Sequence, residues 1–345
     1  MKNFDKIKVG ISVGDINGIG IEIILKTFED ARMLELCTPI LFASNRIISL
    51  HKKELNINIH VHSIDTVAKT VHNKINIVNV WKENVIVNFG KETEEGGKYA
   101  LLSLQAATKA LRDNTIDILV TAPINKHNIQ SDDFNFKGHT EFLEAHLEGE
   151  SLMILMTDAI KIGLITGHIP VQEIAAAITP ELLTKKINLM YDSLVKDFGI
   201  TKPKIAVLGL NPHCGDSGVI GTEDDEIVKP TLEKIHAEGK LVYGPYSSDS
   251  FFGTESYKRF DGILAMYHDQ GLAPFKALSF GNGVNFTAGL SNIRTSPDHG
   301  VAYEIAGKGT ANHNSFKQAL YIALDIYKRR KEYNELVQNR LVARK

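Results

Sequence analysis

Short apolar runs rich in valine and isoleucine alternate along this chain with longer amphipathic segments. Residues 8–13, 39–43, 75–80, 116–121, 152–156, 162–166, 205–210, 262–267 and 284–288 read as strands. Residues 20–28, 97–112, 141–146, 180–198, 223–237 and 315–330 carry the apolar spacing of one-sided helices. That alternation predicts an α/β protein whose sheets are mostly parallel and covered by helices on both faces. Met153-Ile154-Leu155-Met156 and Ile162-Gly163-Leu164-Ile165, joined around Asp158-Ala159, predict an inserted antiparallel hairpin. No repeat or Pro/Ser-rich linker divides the chain. The expectation is two α/β/α domains flanking a cleft, one formed by 1–140 with 290–345 and the other by 141–289.

Composition narrows the partners. The 345 residues suffice for two domains, and a net charge of -2 gives no reason to expect nucleic acid or an anionic membrane. The basic stretch Lys328-Arg329-Arg330-Lys331 runs into Glu332 on a helix and reads as a solvated face. Met1-Lys2-Asn3-Phe4-Asp5-Lys6 leads into a strand with no signal-peptide core, and no apolar run approaches the ~20 residues that span a bilayer. Two cysteines, Cys37 and Cys214, fit a reducing compartment, so the expected location is cytoplasmic.

The first strand enters Gly14-Asp15-Ile16-Asn17-Gly18-Ile19-Gly20 and then a helix. The dinucleotide fingerprint fails because Ile23 stands where its third glycine belongs, and no Gly-Lys-Ser/Thr follows for a phosphate loop. Two readings stay open: a turn offering backbone N–H groups to an anion, or a tight turn alone.

Thirteen histidines exceed the needs of one site. His60 and His62 lie on the polar face of a period-two run, and His51, His72, His127, His236 and His313 have polar or helical surroundings. All read as solvated. His168, His213 and His268 differ, because each follows the C-terminal end of a hydrophobic strand, where open α/β sheets gather ligands. Separations of 45 and 55 residues exclude a local motif, so only folding or a second subunit could unite them. Three imidazoles with an open position describe a catalytic divalent-metal site, to which Asp249 could add an oxygen. Asp269 could orient a neighbouring imidazole or cap a turn.

A second set suits an anion. Gly138-His139-Thr140 precedes an amphipathic helix, making Thr140 a natural N-cap beside an imidazole. Lys276, in the loop expected after residues 262–267, and then Asn285 and Arg294 follow at nine-residue spacings with a point charge, an amide and a planar fork.

Gly138-His139-Thr140-Glu141, Thr166-Gly167-His168, Leu210-Asn211-Pro212-His213-Cys214-Gly215, Tyr267-His268-Asp269-Gln270-Gly271 and Ile293-Arg294-Thr295-Ser296-Pro297-Asp298-His299-Gly300 together resemble the 4-hydroxythreonine-4-phosphate dehydrogenase family of vitamin B6 synthesis. The resemblance covers essentially the whole chain. It implies an isocitrate-dehydrogenase-like fold and a homodimer sharing a divalent metal (Zn, Mg or Co) held by His168, His213 and His268. It further implies substrate contacts at His139, Thr140, Lys276, Asn285 and Arg294, and NAD or NADP bound without the usual fingerprint. Where the family's first loop reads Gly-Asp-Pro-Ala-Gly-Ile-Gly-Pro-Glu, this chain lacks both prolines, and Ser247-Ser248-Asp249-Ser250 replaces Pro-Ala-Asp-Thr. The implied reaction is metal-dependent oxidation of a phosphorylated hydroxy amino acid, followed by decarboxylation, with Lys276 or Asp249 aiding proton transfer. Two alternatives remain open: a dehydrogenase for threonate or erythronate 4-phosphate, and a phosphate acyltransferase-like enzyme.

Overall fold

In the computed structural model, residues 6–338 are described; residues 1–5 and 339–345, including most of the N-terminal stretch read above, lie outside them. The strands are β1 (Lys8–Ser12), β2 (Thr38–Ala43), β3 (Val61–Ile64), β4 (Ile75–Asn79), β5 (Ile118–Thr121) and β6 (Gly149–Met156). They continue with β7 (Lys161–Leu164), β8 (Lys204–Leu208), β9 (Leu241–Tyr246), β10 (Gly262–Ala265), β11 (Val284–Leu290) and β12 (Arg294–Pro297). Contacts divide the chain into two units, one holding residues up to Gly149 with Leu290–Leu324, the other Glu150–Gly289 with residues from Asp325.

In the first unit the strand order is β3-β4-β2-β1-β5-β12 and the pairs are parallel. All six residues of β2 are buried, as an apolar strand covered on both faces requires. Helix Glu94–Arg112 starts where the Thr93 side chain accepts the Gly96 N–H, and it packs Leu101, Leu104 and Leu111 with Phe42 and Leu119. In the second unit the order is β11-β6-β7-β10-β8-β9. Strands β7, β10, β8 and β9 run parallel in succession, and β6 pairs antiparallel with β7 as the sequence predicts. Helix Pro180–Lys196, capped by Thr179 with proline in its first turn, lies so close to β10 that a Cβ on Gly262 would stand 2.4 Å from Met190 Cε. Among the described residues no helix is long and apolar enough to cross a membrane.

The alternation of strands and helices therefore gives the expected α/β class, and the differences are local. Strand β12 escapes a periodicity reading because Arg-Thr-Ser-Pro is polar; it is buried through pairing with β5. Helix His268–Ser279 is hidden by Gly271 and Pro274, which read as breakers. The basic stretch near the C-terminus is not uniformly solvated. Arg330, one turn beyond buried Ile326, is itself buried and pairs with buried Asp197 at 2.5 Å.

The glycine loop after β1 makes a tight turn. Gly14 has φ +69, and a Cβ there would meet the Pro123 carbonyl oxygen at 2.1 Å. The N–H groups of Asp15, Gly18 and Ile19 donate to Pro123, Asp15 and Val301 carbonyls, and that of Asn17 to the Asp15 carboxylate. Those donors are spent inside the protein. The buried Asp15 carboxylate also receives the Tyr303 hydroxyl at 2.7 Å and the Asn128 amide at 2.8 Å.

His51 belongs to the same assembly and is fully buried, not solvated: its Nε2 lies 3.0 Å from the Ile16 carbonyl. Burial pushes its pKa from 6.5 down to about 4. The unfolded ring takes a proton as pH falls through its ordinary value, whereas the folded ring resists until about 4. Stability is therefore present above the ordinary value and lost on acidification, by on the order of 3 kcal/mol from this ring. His139, also depressed, acts in the same direction. Urea midpoints measured at neutral pH and about pH 4.5 should fall less on acidification in His51→Leu than in the parent; equal falls would absolve His51.

Candidate active site

The chain places three of its histidines and one carboxylate along a single edge of the second unit. Strands β7, β10, β8 and β9 lie side by side and point the same way, so their C-terminal ends share that edge. His168 follows β7, His268 follows β10, His213 follows β8 and Asp249 follows β9. The ladder between β7 and β10 continues past the strands, with the Ile165 and Thr166 N–H groups donating to Ala265 and Met266 carbonyls. That brings the His168 and His268 rings to 5.3 Å between centroids.

His268 is the first residue of helix His268–Ser279, and its Nδ1 lies 2.7 Å from the Asp269 carboxylate, which leaves Nε2 to face a ligand. Asp249 is exposed and accepts the Ser247 hydroxyl at 2.6 Å; that bond, a backbone N–H of Ser250 and nearby His213 hold its pKa below the usual carboxylate value. A pocket here is lined by His213, Asp249, Tyr267 and Gln270, among others. His213 itself is exposed and left-handed (φ 53), and positive φ runs on through Cys214, Gly215, Asp216, Ser217 and Gly218. Among the described residues no group of three or more His, Cys, Asp or Glu is close enough to hold a metal ion. His168 stands beside His268, and His213 near Asp249, and imidazole plus carboxylate is a donor chemistry that suits a divalent ion.

The anion-binding candidates divide between the units: His139, Thr140 and Arg294 belong to the first, Lys276 and Asn285 to the second. Arg294 is fully buried, and its Nε and Nη2 donate to the Thr121 hydroxyl at 3.1 and 2.6 Å. Burial works against its charge, drawing the pKa down to about 9, while the Glu141 carboxylate works for it. His139 is pushed well below the ordinary imidazole value by burial, Arg294 and Lys126, and its enclosed Nε2 has no hydrogen-bond partner among the described residues. In the second unit Asn285 Oδ1 is likewise enclosed without a partner. Unsatisfied buried polar atoms are costly, so both fit groups that meet a polar ligand.

Two local expectations are corrected. Thr140 is not the N-cap, because the helix begins at His139 with Gly138 as its cap residue and no side-chain cap bond. Lys276 is not in a loop: it is exposed on helix His268–Ser279. Sequence reasoning also missed Thr121 and Glu141 beside Arg294, and the bridging role of Gln270. Only Gln270 carries a signal, as a glutamine at the third position of a helix, where a capping box places Glu or Gln.

The family profile described as pyridoxal phosphate biosynthetic protein PdxA matches residues 35–323. The chain belongs to this family. Among PdxA relatives, 4-hydroxythreonine-4-phosphate dehydrogenase from Bacteroides thetaiotaomicron is 50% identical over 328 residues, covering 94% of this chain and 90% of the relative. The protein of the same name from Sulfurihydrogenibium sp. is 37% identical over 327 residues, covering 94% and 100%. The crystal structure of 4-hydroxythreonine-4-phosphate dehydrogenase from Klebsiella pneumoniae superposes with a TM-score of 0.80 at 30% identity, covering 94% of this chain and 99% of that one. PdxA membership thus rests on sequence and fold together.

Proposed function

We propose that this chain is an NAD(P)-dependent oxidoreductase of vitamin B6 biosynthesis. It oxidises the secondary hydroxyl of 4-phosphohydroxythreonine to a 3-keto acid, which loses carbon dioxide to give 3-amino-2-oxopropyl phosphate. The observation that carries this reading is the pairing of His168 and His268 at 5.3 Å, at the strand ends of a chain half-identical to a relative of that name.

His168, His213 and His268 would hold a divalent ion (Zn, Mg or Co), with Asp249 beside His213 as a further oxygen donor. When bound, that ion polarises the hydroxyl and stabilises negative charge on the reacting carbon skeleton. A bound NAD or NADP would supply the hydride acceptor for that oxidation. The substrate-contact candidates are Arg294, His139 and Thr140 in the first unit and Lys276 and Asn285 in the second. Remote phosphate contacts then orient the reacting carbon. Lys276 or Asp249 takes the hydroxyl proton.

The second domain carries the metal ligands and the contacts of a homodimer. Exposed apolar residues support that surface: Val171 follows His168 by three positions, Val219 and Ile220 sit in the His213 loop, and Phe280 ends the helix that starts at His268. Free Cys37 and Cys214 support a reducing, cytoplasmic setting.

Purified protein should reduce NAD or NADP when given 4-phosphohydroxythreonine, stop on chelation, and resume when Zn, Mg or Co is restored. No reduction of either cofactor, or a preference for threonate or erythronate 4-phosphate, would overturn the assignment.

A further inference from the structure

We propose that Gln270 is a positioning residue that wedges the ends of β10 and β8 apart and thereby fixes where the His213 loop stands relative to the helix that begins at His268. This rests on reading those side chains as metal-binding. Strands β10 and β8 pair with Leu264 opposite Val207. The same register carried onward would bring Met266 opposite Gly209. Instead the ladder stops, and the Gln270 carboxamide occupies the next rung. Its Oε1 accepts the Met266 N–H at 2.7 Å, and its Nε2 donates to the Gly209 carbonyl at 2.7 Å. Toward β7 no wedge intervenes, because the Met266 carbonyl accepts directly from the Thr166 N–H at 3.2 Å and its hydroxyl at 2.6 Å. The strand ends are zipped on the His168 side and parted by one amide on the His213 side, where the pocket opens.

Chain chemistry explains why a carboxamide stands here. The rung needs an acceptor and a donor at once, at the reach of a third-position helix side chain. Glutamate lacks the donor, and asparagine is one methylene short. The parted loop is anchored elsewhere too: the Gly209 N–H donates to Tyr246, and the Leu210 and Asn211 N–H groups to buried Asp224 at 2.8 Å each. Beyond those anchors the backbone turns left-handed from His213 to Gly218, a conformation that L-residues resist. Local preference therefore does not fix His213; its anchors do, and Gln270 is the one that comes from the helix of His268.

Cobalt(II) titration followed by visible absorption tests this in Gln270→Leu, which loses both bonds, and Gln270→Glu, which keeps the acceptor and loses the donor. Cobalt affinity should fall about 10–100-fold, the range for residues that support ligands, with an altered absorption band. A residue that only stabilised the fold would lower the melting temperature but leave cobalt affinity and spectrum of the folded protein unchanged, which would overturn the proposal. If Gln270→Leu does not fold, the isosteric Gln270→Glu gives the same reading alone. Parent protein that takes up no cobalt removes the metal site and this role together. Parent protein whose cobalt is lost in His213→Asn, while both Gln270 variants bind normally, leaves the metal site standing and removes Gln270 alone.

Discussion

His213→Asn should abolish metal-dependent turnover while the protein stays folded. The choice of asparagine follows from the backbone. His213 sits at φ 53, and asparagine is among the few residues that adopt this region readily. The ring is exposed, so its removal empties no core space. What disappears is one imidazole of the proposed donor set. Residues that merely support a ligand are worth roughly 10–100-fold, so loss of a ligand should exceed that in kcat and metal affinity together. Circular dichroism and melting should match the parent. Retained turnover with unchanged metal content would remove His213 from the set and leave His168 and His268 to be explained without it.

The sequence announced the strand ends but not their neighbours. Hydrophobic runs stopping at His168, His213 and His268 were readable because a buried parallel strand is a near-continuous apolar word with a polar full stop. That β10 lies between β7 and β8 was not readable, since strand order is set by crossovers among segments 45 and 55 residues apart. The same limit hid Gln270, whose two bonds reach residues 4 and 61 positions away. Local signals also misled where tertiary packing overrides them. His51 has a polar neighbourhood in sequence yet is fully buried against the glycine loop, and Arg330 hides in a basic run because one helical face turns inward. Lys276 looked like loop because proline and glycine precede it, although the helix runs through both.

Arg294→Met should collapse the preference for phosphorylated over unphosphorylated substrate. Arg294 enters buried on β12 and spends two donors on the Thr121 hydroxyl, with the Glu141 carboxylate favouring its charge. At neutral pH it stays protonated even with its pKa drawn down to about 9, so it presents a fixed positive charge in a poorly solvated place. A phosphate reaching that charge makes charge-assisted bonds, and truncating one partner of such a buried pair costs about 2–5 kcal/mol. That corresponds to a rise in KM of roughly 30-fold or more. Methionine keeps much of the volume and removes the charge. Arg294→Lys restores the charge but not the planar fork, and should recover only part of the loss. Steady-state kinetics with 4-phosphohydroxythreonine and with its unphosphorylated counterpart separate the possibilities. A KM increase confined to the phosphorylated substrate assigns Arg294 to the phosphate. An equal loss on both, accompanied by a lower melting temperature, would make Arg294 a structural cation of the first unit that never meets the ligand.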